Sequence, residues 1–429
     1  MIYLRFDEVC QEVLVNIKNE NFIPFQKEEL IEICCSDGKL NLEQQQHFRD
    51  FCHILAGYYH FKYFHFAEKL KKAYFPFNPD RDIRSKRTFT PEQLKQHEKD
   101  LLEYLRSTLE KANYEEVSRE DLDAAMKERS LFKIDLNVDF DDFTQFLVFK
   151  RGEHPEIVKV KKFFHEQELK LIDFERVVLY IQFKDAEYFK SKGKRNLMFE
   201  PGSTILKLFK NIPKADIEML FPNAETRMSG IDKVVMGLPA GLGAIPILMK
   251  ALPALSVLIG IILTSLGIWE VHQEDSNKMI ATIQGLIGLG ILSAFLFRQF
   301  MRYKNKKLAF AKALSDNLYF RNLDNNGGVF FHLIDSAEEE ESKEAILAYY
   351  FLMVSEKPLT EEQLDQRVET WFQEHHQIHI DFEVDDALHK LHEIGLSEEL
   401  GTAWTVLSLG KAKERIDYIW DHIFSYNNK

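Results

Sequence analysis

Apolar residues recur about every 3.6 residues in the first part of the chain, which is the period of amphipathic helices. One long helix is predicted over Leu42–Ala73, and Pro76 stops it because proline cannot continue a helix. A second helix is predicted after Thr90, which has the position of an N-cap with Gln93 completing a capping box. We therefore expect a helical domain over residues 1–129.

The period changes from 3.6 to 2 in the next part of the chain. Alternation of apolar and polar residues is typical of half-buried strands, and strands are predicted over 143–152, 175–184 and 204–213. These strands indicate the first part of an α+β domain over residues 130–232.

Two aromatic-rich arms flank the sequence DNNGG between Asn317 and Asp335. Asn and Gly tolerate the positive φ angles of tight turns, so this pattern predicts a β-hairpin. Because a two-stranded hairpin alone is only marginally stable in water, it needs a larger sheet to join. We therefore expect residues 301–342 to complete the small mixed sheet of the α+β domain.

Two uncharged segments of nineteen residues each, 251–269 and 279–297, separate the two parts of that domain. A helix of nineteen residues is about 28 Å long, close to the hydrocarbon thickness of a bilayer. Neither segment has the polar stripe of an amphipathic helix. They predict a transmembrane helical hairpin over residues 233–300, and the alternative is a pair of core helices covered on every side by protein.

The charges around the two segments predict their orientation. The connector 270–278 is acidic, whereas basic residues follow the second segment from Arg298 to Lys307. Positive charge stays on the cytoplasmic side, so we expect both termini in the cytoplasm and loop 270–278 outside. The preceding stretch 234–250 is apolar and rich in Gly and Pro. Its role stays open between part of a span, a re-entrant segment and an interfacial segment.

Small residues recur at helical spacing within both apolar segments. They are Ser256, Gly260 and Thr264 in the first segment, and Ala281, Gly285, Gly290 and Ala294 in the second. Such faces allow helix backbones to approach closely in lipid. The expected use is packing within the hairpin, and the alternative is packing between subunits of a homo-oligomer.

The pattern after residue 343 predicts three amphipathic helices, a strand pair and a closing helix, in an order that resembles a winged helix. Thr360 and Gln363 form a capping box at the second helix. Residues 343–429 contain 8 Lys and Arg against 17 Asp and Glu, and the third helix carries Lys390 among carboxylates. Phosphate would be repelled, so we expect a protein partner and no nucleic acid.

Candidate chemistry along the chain is sparse. The net charge of −13 argues against a general nucleic-acid binder, and the four cysteines match no metal spacing, so reduced, buried thiols are expected. The histidines His375, His376 and His379 are expected to be exposed. The run Glu338–Glu341 is expected to be solvated in the first turn of a helix capped by Ser336. We predict no catalytic residue, no cofactor-binding residue and no metal ligand.

Two segments carry a resemblance to a known family, namely Phe209–Asn223 and Leu318–Leu352. They resemble an uncharacterised membrane-protein family, a domain of unknown function that includes the mitochondrial transmembrane protein 143 and bacterial relatives. The resemblance covers about residues 140–355 and implies two membrane helices, but no activity or catalytic residue. The chain lacks a transit peptide at its start, so the expected location is a bacterial cytoplasmic membrane.

These observations favour an integral membrane protein that acts as a membrane-anchored scaffold, with a lipid bilayer and an unknown protein as partners. The first alternative is an oligomeric transport or channel subunit, formed if the small-residue faces assemble several hairpins. The second alternative is a membrane-surface enzyme. Its site would be assembled from residues distant in the sequence, because the chain contains no recognisable catalytic motif.

Overall fold

The computed structural model describes residues 22–80, 88–125, 135–162, 165–194, 197, 199–227, 259, 266 and 276–424. The chain separates into two compact units. Unit 1 comprises residues 1–128, 140–217 and 321–429, and unit 2 comprises residues 129–139 and 218–320.

Helices and strands both contribute to the described residues. The helices in chain order are α1 (Lys27–Ser36), α2 (Leu42–Tyr74), α3 (Pro91–Lys111), α4 (Arg119–Ala125), α5 (Ala186–Ser191), α6 (Ser276–Arg321), α7 (Gly327–Met353), α8 (Glu361–His376), α9 (Val384–Glu393) and α10 (Leu409–Asp421). The strands are β1 (Glu115–Glu116), β2 (Asp135–Asn137), β3 (Phe143–Lys162), β4 (His165–Phe183), β5 (Thr204–Pro213), β6 (Glu225–Arg227), β7 (Asn322–Asn325), β8 (Leu359–Thr360), β9 (Ser397–Leu400) and β10 (Ala403–Val406). The α+β class expected from the sequence is confirmed.

The helices at the start of unit 1 begin and end where their sequence signals lie. Helix α2 ends at Tyr74 and passes into a short 3-10 turn that contains Pro76. Helix α3 begins at Pro91, and the Thr90 hydroxyl accepts a hydrogen bond from the Gln93 backbone N–H at 3.3 Å. The Gln93 side chain accepts from the Thr90 backbone N–H at 2.9 Å, which confirms the expected capping box.

Unit 1 contains an antiparallel sheet with the strand order β1-β3-β4-β5-β7. The three strands expected from period-2 alternation are present as β3, β4 and β5. Strands β3 and β4 stay paired as far as Lys162 and His165, whereas the pairing of β4 with β5 ends at Asp173 and Pro213. The β3–β4 ribbon therefore extends well beyond the rest of the sheet.

The β-hairpin expected over Asn317–Asp335 is wrong. Its first arm is the end of α6 followed by β7, which pairs with β5 at the edge of the sheet. Asn326 has a φ of 50°, so the turn has the expected backbone, but it joins β7 to helix α7. The second arm is helical because its apolar residues recur at spacings of three and four. The buried ones are Val329, Phe330, Leu333, Ile334 and Ala337.

Helix α7 is the central helix of unit 1. Every residue from Glu340 to Leu352 is buried, and the helix packs against α1, α2, α3, α8 and α9 as well as β5, β7 and β10. Aromatic rings fill the contact with α2, where the Phe51 and Tyr349 ring centroids lie 4.1 Å apart. A helix buried on all sides is normally apolar all round, so the charged residues in its middle need partners.

The C-terminal part of unit 1 follows the order helix, strand, helix, helix and strand pair. Strands β8, β9 and β10 form a small sheet with the order β8-β10-β9, and α10 follows it. The helices, the strand pair and the capping box of Thr360 and Gln363 expected from the sequence are present.

Unit 2 combines a short strand pair with one long helix in its described residues. Strands β2 and β6 pair antiparallel from Asp135↔Arg227 to Asn137↔Glu225. Helix α6 contains 46 residues, which corresponds to a length of about 69 Å.

The expected transmembrane hairpin over 233–300 is wrong. Among the residues that the structure describes, no helix combines the length and the apolar composition that crossing a bilayer requires. The segment 279–297 is not a separate rod, because α6 continues without a break into the basic stretch that begins at Arg298. The segment 251–269 lies outside the described residues except for Ile259 and Leu266, which are exposed.

The expected inner-membrane location is wrong together with the two spans on which it depended. The assignment of loop 270–278 to the outside loses its basis for the same reason, and most of that loop lies beyond the described residues. The stretch 234–250, whose role the sequence left open, also lies outside them.

Candidate functional site

The run of glutamates from Glu338 to Glu341 lies in the middle of α7, not at its start. The helix begins at Gly327, so Ser336 caps nothing, and the expectation of solvated charge in a first turn is wrong. Glu340, Glu341 and the nearby Glu344 are all buried. Buried carboxylates need cations and hydrogen-bond donors, and two lysines from other elements contribute them.

Lys390 of α9 is the centre of this buried ionic cluster. Its Nζ lies 3.2 Å from Glu341 Oε1 and 2.6 Å from Asp386 Oδ2, and it also donates to Glu344 Oε2. Lys111 of α3 donates to Glu341 Oε1 at 3.1 Å. The cluster therefore ties α3, α7 and α9 together through one carboxylate-rich turn of α7.

The two main partners of the cluster respond differently to burial. Burial raises the pKa of Glu344 to about 7 against the opposing effect of Lys390, and Glu341 and Glu340 raise it further. Burial alone would lower the pKa of Lys390, but Glu344, Glu341 and Asp386 raise it above its ordinary value. Lys390 therefore stays charged, because one ammonium group faces three carboxylates, and Glu344 is the group that gains a proton near neutral pH.

A second buried pair fixes the start of the described chain against α7. Lys343 Nζ contacts Glu340 Oε1 at 2.8 Å and donates to the backbone oxygens of Ile23 and Phe25 at 2.6 and 3.2 Å. The Glu340 carboxylate accepts from the Ile23 N–H at 3.2 Å. The side chains of Lys343 and Glu340 thus form hydrogen bonds with backbone groups of this short segment, which has no regular secondary structure to pair them.

The ionic cluster is unsuited to acting on a substrate. The side chains of Glu341, Glu344 and Lys390 are 1 %, 6 % and 5 % exposed, so a ligand has no access to their charged atoms. Its geometry suits helix positioning, since Lys390 is shared by Glu341, Glu344 and Asp386, and its removal would take the main cation from the two buried glutamates.

An open groove of about 470 Å³ lies on the surface of unit 1 between α8 and the turn from α1 to α2. Its lining includes Arg367, Trp371 and Glu374 of α8 and Asp37 and Lys39 of the turn. The Asp37 carboxylate accepts from Tyr350 Oη at 2.8 Å and from Trp371 Nε1 at 3.0 Å. Asp37 is thus committed to holding the turn against α7 and α8.

Helix α6 of unit 2 exposes a row of large apolar side chains, here called the α6 stripe. Its members are Ile283, Ile287, Phe297, Met301 and Leu308, with Gly290 and Ala294 completing the spacing. Phe297 and Leu308 are 65 % and 70 % exposed. Successive positions are four or three residues apart, so they stay on one face of the helix and drift by only about 20° per seven residues.

The same helix has an unusual charge distribution. No Asp or Glu occurs from Ser276 to Ser315, although the whole chain has a net charge of −13. Arg298, Arg302, Lys304 and Lys312 are exposed and are here called the α6 flank. Arg298 and Arg302 directly follow stripe residues, and Lys304 occupies a stripe position. The exposed side of α6 is therefore apolar and basic.

The histidines and cysteines singled out in the sequence do not come together in a site. His375 and His379 are exposed as expected, whereas His376 is half-buried against Phe25 and Trp371, and burial lowers its pKa. Cys34, Cys35 and Cys52 are buried free thiols, which confirms that expectation for the described cysteines, and Cys10 lies outside that part. Within the described ranges, no group of three or more His, Cys, Asp or Glu has the arrangement to hold a metal ion.

Two of the small residues expected to pack within the hairpin are exposed in the structure. Gly290 and Ala294 lie on the exposed side of α6, and a Cβ atom on Gly290 would meet nothing within 4 Å. Ser256, Gly260 and Thr264 lie outside the described residues.

Two features escaped the sequence reasoning although both left a signal. The α6 stripe follows a three-and-four spacing that continues past the apolar segment into the basic one. The burial of the glutamate run is signalled by the apolar sequence that follows it from Ala345 to Met353, which leaves α7 without a solvent-facing side.

Comparison with known proteins gives one family match. Residues 174–328 match the model of a family described as "Protein of unknown function (DUF3754)", which is about a third of the chain. The match supports the resemblance to a domain of unknown function and contains no link to transmembrane protein 143 or to membranes. No solved structure matches the chain.

Proposed function

We propose that this protein is a non-enzymatic interaction protein that binds a protein partner through the α6 stripe. The observation that carries the proposal is the exposure of Ile287, Phe297 and Leu308 along one face of α6. A row of exposed large apolar side chains on one helix face is typical of an interaction site, because leaving it in water is unfavourable.

The rest of the described chain supports the same function. Unit 1 is held together by an extensive core and by a cluster of buried charges that a substrate cannot reach. As part of this proposal, the chain is related to the group that includes transmembrane protein 143. The segments Phe209–Asn223 and Leu318–Leu352 support that relation because they resemble it. The transport and enzyme alternatives have no comparable observation in their favour.

Site-specific photocrosslinking tests the proposal. A benzoylphenylalanine placed at Phe297 in the full chain should crosslink one defined protein in cells, because Phe297 lies in the middle of the stripe. The double change Ile287→Ser and Met301→Ser should remove that crosslink. The thermal unfolding temperature should stay nearly unchanged, since exposed residues contribute little to stability.

A matched control uses exposed leucines outside the stripe. Leu42 and Leu400 are 85 % and 55 % exposed, so the changes Leu42→Ser and Leu400→Ser remove similar apolar surface elsewhere. This control should keep the crosslink at Phe297. Loss of the crosslink in the control, or its persistence in the stripe variant, would refute the stripe as the interface.

A further inference from the structure

We infer that the partner presents an acidic amphipathic helix that packs lengthwise along α6. This inference rests on the proposed function and adds the chemical class of the partner. Three features of α6 support this occupant: the spacing of its exposed apolar residues, the basic residues beside them and the absence of Asp and Glu from Ser276 to Ser315.

The shape of the apolar surface favours a helix as its occupant. The α6 stripe runs from Ile283 to Leu308 with successive positions four and three residues apart, which is the spacing of a coiled-coil seam. Side chains at this spacing fit between those of one facing helix, and the exposed Phe300 beside the stripe adds apolar surface at its edge. The distance from Ile283 to Leu308 is about 38 Å, so a partner helix of about 25 residues covers it.

The charges beside the stripe select an acidic occupant. Arg298 follows Phe297 at one edge of the stripe, Lys312 lies two heptads further along the same edge, and Lys304 lies on the stripe line itself. In helix pairs, charges at the edges of the seam decide which partner is accepted, because opposite charges attract and like charges repel. A partner with glutamates at its seam edges meets this basic flank in favourable pairs.

A second copy of α6 is a poor occupant for the same reason. The helix contains no Asp or Glu between Ser276 and Ser315. A parallel, in-register pair of copies would therefore place the same basic residues beside one another, and an antiparallel pair would leave them without a carboxylate from either α6. Like-charge pairs across a helix interface are destabilising, so the structure favours a different chain.

Synthetic helices of about 25 residues test the inference directly with the purified full chain. All carry Leu at alternating spacings of three and four, and they differ only in their seam edges, which hold Glu, Gln or Lys. Fluorescence anisotropy should show the Glu helix binding at least about tenfold more tightly than the Gln helix, and the Lys helix not at all. Affinity for the Glu helix should fall as salt is raised, because exposed charges are screened. Equal binding of the three helices would overturn the inference.

Two further measurements test whether a second copy of the chain or a lipid surface occupies the stripe. In analytical ultracentrifugation of the chain alone, we expect no dimer that depends on Phe297. A dimer that the change Phe297→Ser abolishes would show that a second copy occupies the stripe and would overturn the inference. In a co-sedimentation experiment, vesicles of phosphatidylcholine and phosphatidylserine should bind the chain and its Phe297→Ser variant to the same small extent. Retention lost on Phe297→Ser would make an anionic lipid surface the occupant and overturn the inference.

The outcomes separate this inference from the proposed function. If the stripe variant loses its cellular crosslink while the Glu helix binds no better than the Gln helix, the interaction function stands and the acidic partner is refuted. If the stripe variant keeps the crosslink and none of the three helices binds, both are refuted.

Discussion

Lys390 of α9 and Glu344 of α7 form an ion pair whose side chains are 5 % and 6 % exposed. The same ammonium group contacts Glu341 and Asp386, and Asn113 donates to the other Glu344 oxygen at 3.3 Å. The ammonium group of Lys390 is directed into the core and not to the surface of α9. Helix α9 is thereby locked to α7, the central helix of unit 1.

Removal of Lys390 should be among the most damaging single changes in unit 1. The change Lys390→Met leaves Glu341 and Glu344 buried without their main cation, so it should lower the free energy of unfolding by about 3–5 kcal/mol. Urea unfolding followed by circular dichroism measures this loss. The control is Lys62→Met, which breaks the half-exposed pair with Glu393 and should cost under about 1 kcal/mol. Similar losses in the two variants would contradict the assigned role of Lys390.

The stability of unit 1 should depend on pH through Glu344. The pKa of Glu344 is about 7 in the folded chain and near its ordinary value of 4.5 in the unfolded chain. Between these two pH values, the folded state therefore holds a proton on Glu344 that the unfolded state has released. The stabilising proton is present at low pH and is lost as the pH rises through about 7. The stability of the chain relative to Glu344→Gln should therefore fall by on the order of 2 kcal/mol between about pH 5 and pH 8.

Urea unfolding of both proteins across that pH range gives the measurement. The surrounding charged and titratable groups are Glu340, Glu341, Asp386, Lys111, Lys390, Tyr59 and Tyr63, and they are common to both proteins. A stability difference that is constant with pH would show that Glu344 titrates normally.

Two buried tyrosines of α2 should respond in opposite ways to loss of their hydroxyl groups. The Tyr63 hydroxyl is buried without a hydrogen-bond partner among the described residues, whereas Tyr74 Oη donates to the Thr204 carbonyl oxygen at 2.9 Å. Tyr63→Phe should therefore leave the free energy of unfolding unchanged or raise it slightly. Tyr74→Phe should lower it by about 1–3 kcal/mol, because a buried carbonyl loses its donor. The reverse order in chemical denaturation would show that Tyr63 has a partner.

The turn between α1 and α2 should depend on Asp37. The change Asp37→Ala leaves the Tyr350 hydroxyl and the Trp371 indole N–H without their acceptor, so it should destabilise the chain by about 2–4 kcal/mol. Hydrogen exchange should then accelerate in α1. Asp50→Ala removes an exposed carboxylate on α2 and is the matched control with little expected effect. Unchanged exchange in α1 would contradict an anchoring role for Asp37.

Much of the fold follows from local sequence signals. The ends of α2, the capping boxes at Thr90 and Thr360, and the strand β5 depend on neighbouring residues alone, and all were predictable. Such signals act within a few residues, where the sequence is sufficient to interpret them.

The errors share a physical cause, which is that burial depends on distant residues. The glutamate run of α7 was interpreted as exposed because its partners, Lys111 and Lys390, come from helices far away along the chain. The turn at Asn326 had the expected φ, but its second arm has apolar residues at helical spacing, and the contact of Phe330 with Tyr74 of the distant α2 buries them as a helix. The segment 279–297 reads as a membrane span because hydropathy counts apolar residues without regard to which face they occupy.

The most direct test of the account exchanges the charges of the α6 flank. A full chain with Arg298→Glu, Arg302→Glu and Lys312→Glu keeps the α6 stripe intact and reverses only the charges beside it. Because like charges repel and opposite charges attract, this chain should no longer bind the Glu helix and should bind the Lys helix in the same anisotropy experiment. Reversed preference would establish that this face of α6 accepts a helix and selects it by charge. Unchanged binding of the Glu helix to the charge-exchanged chain would contradict the account.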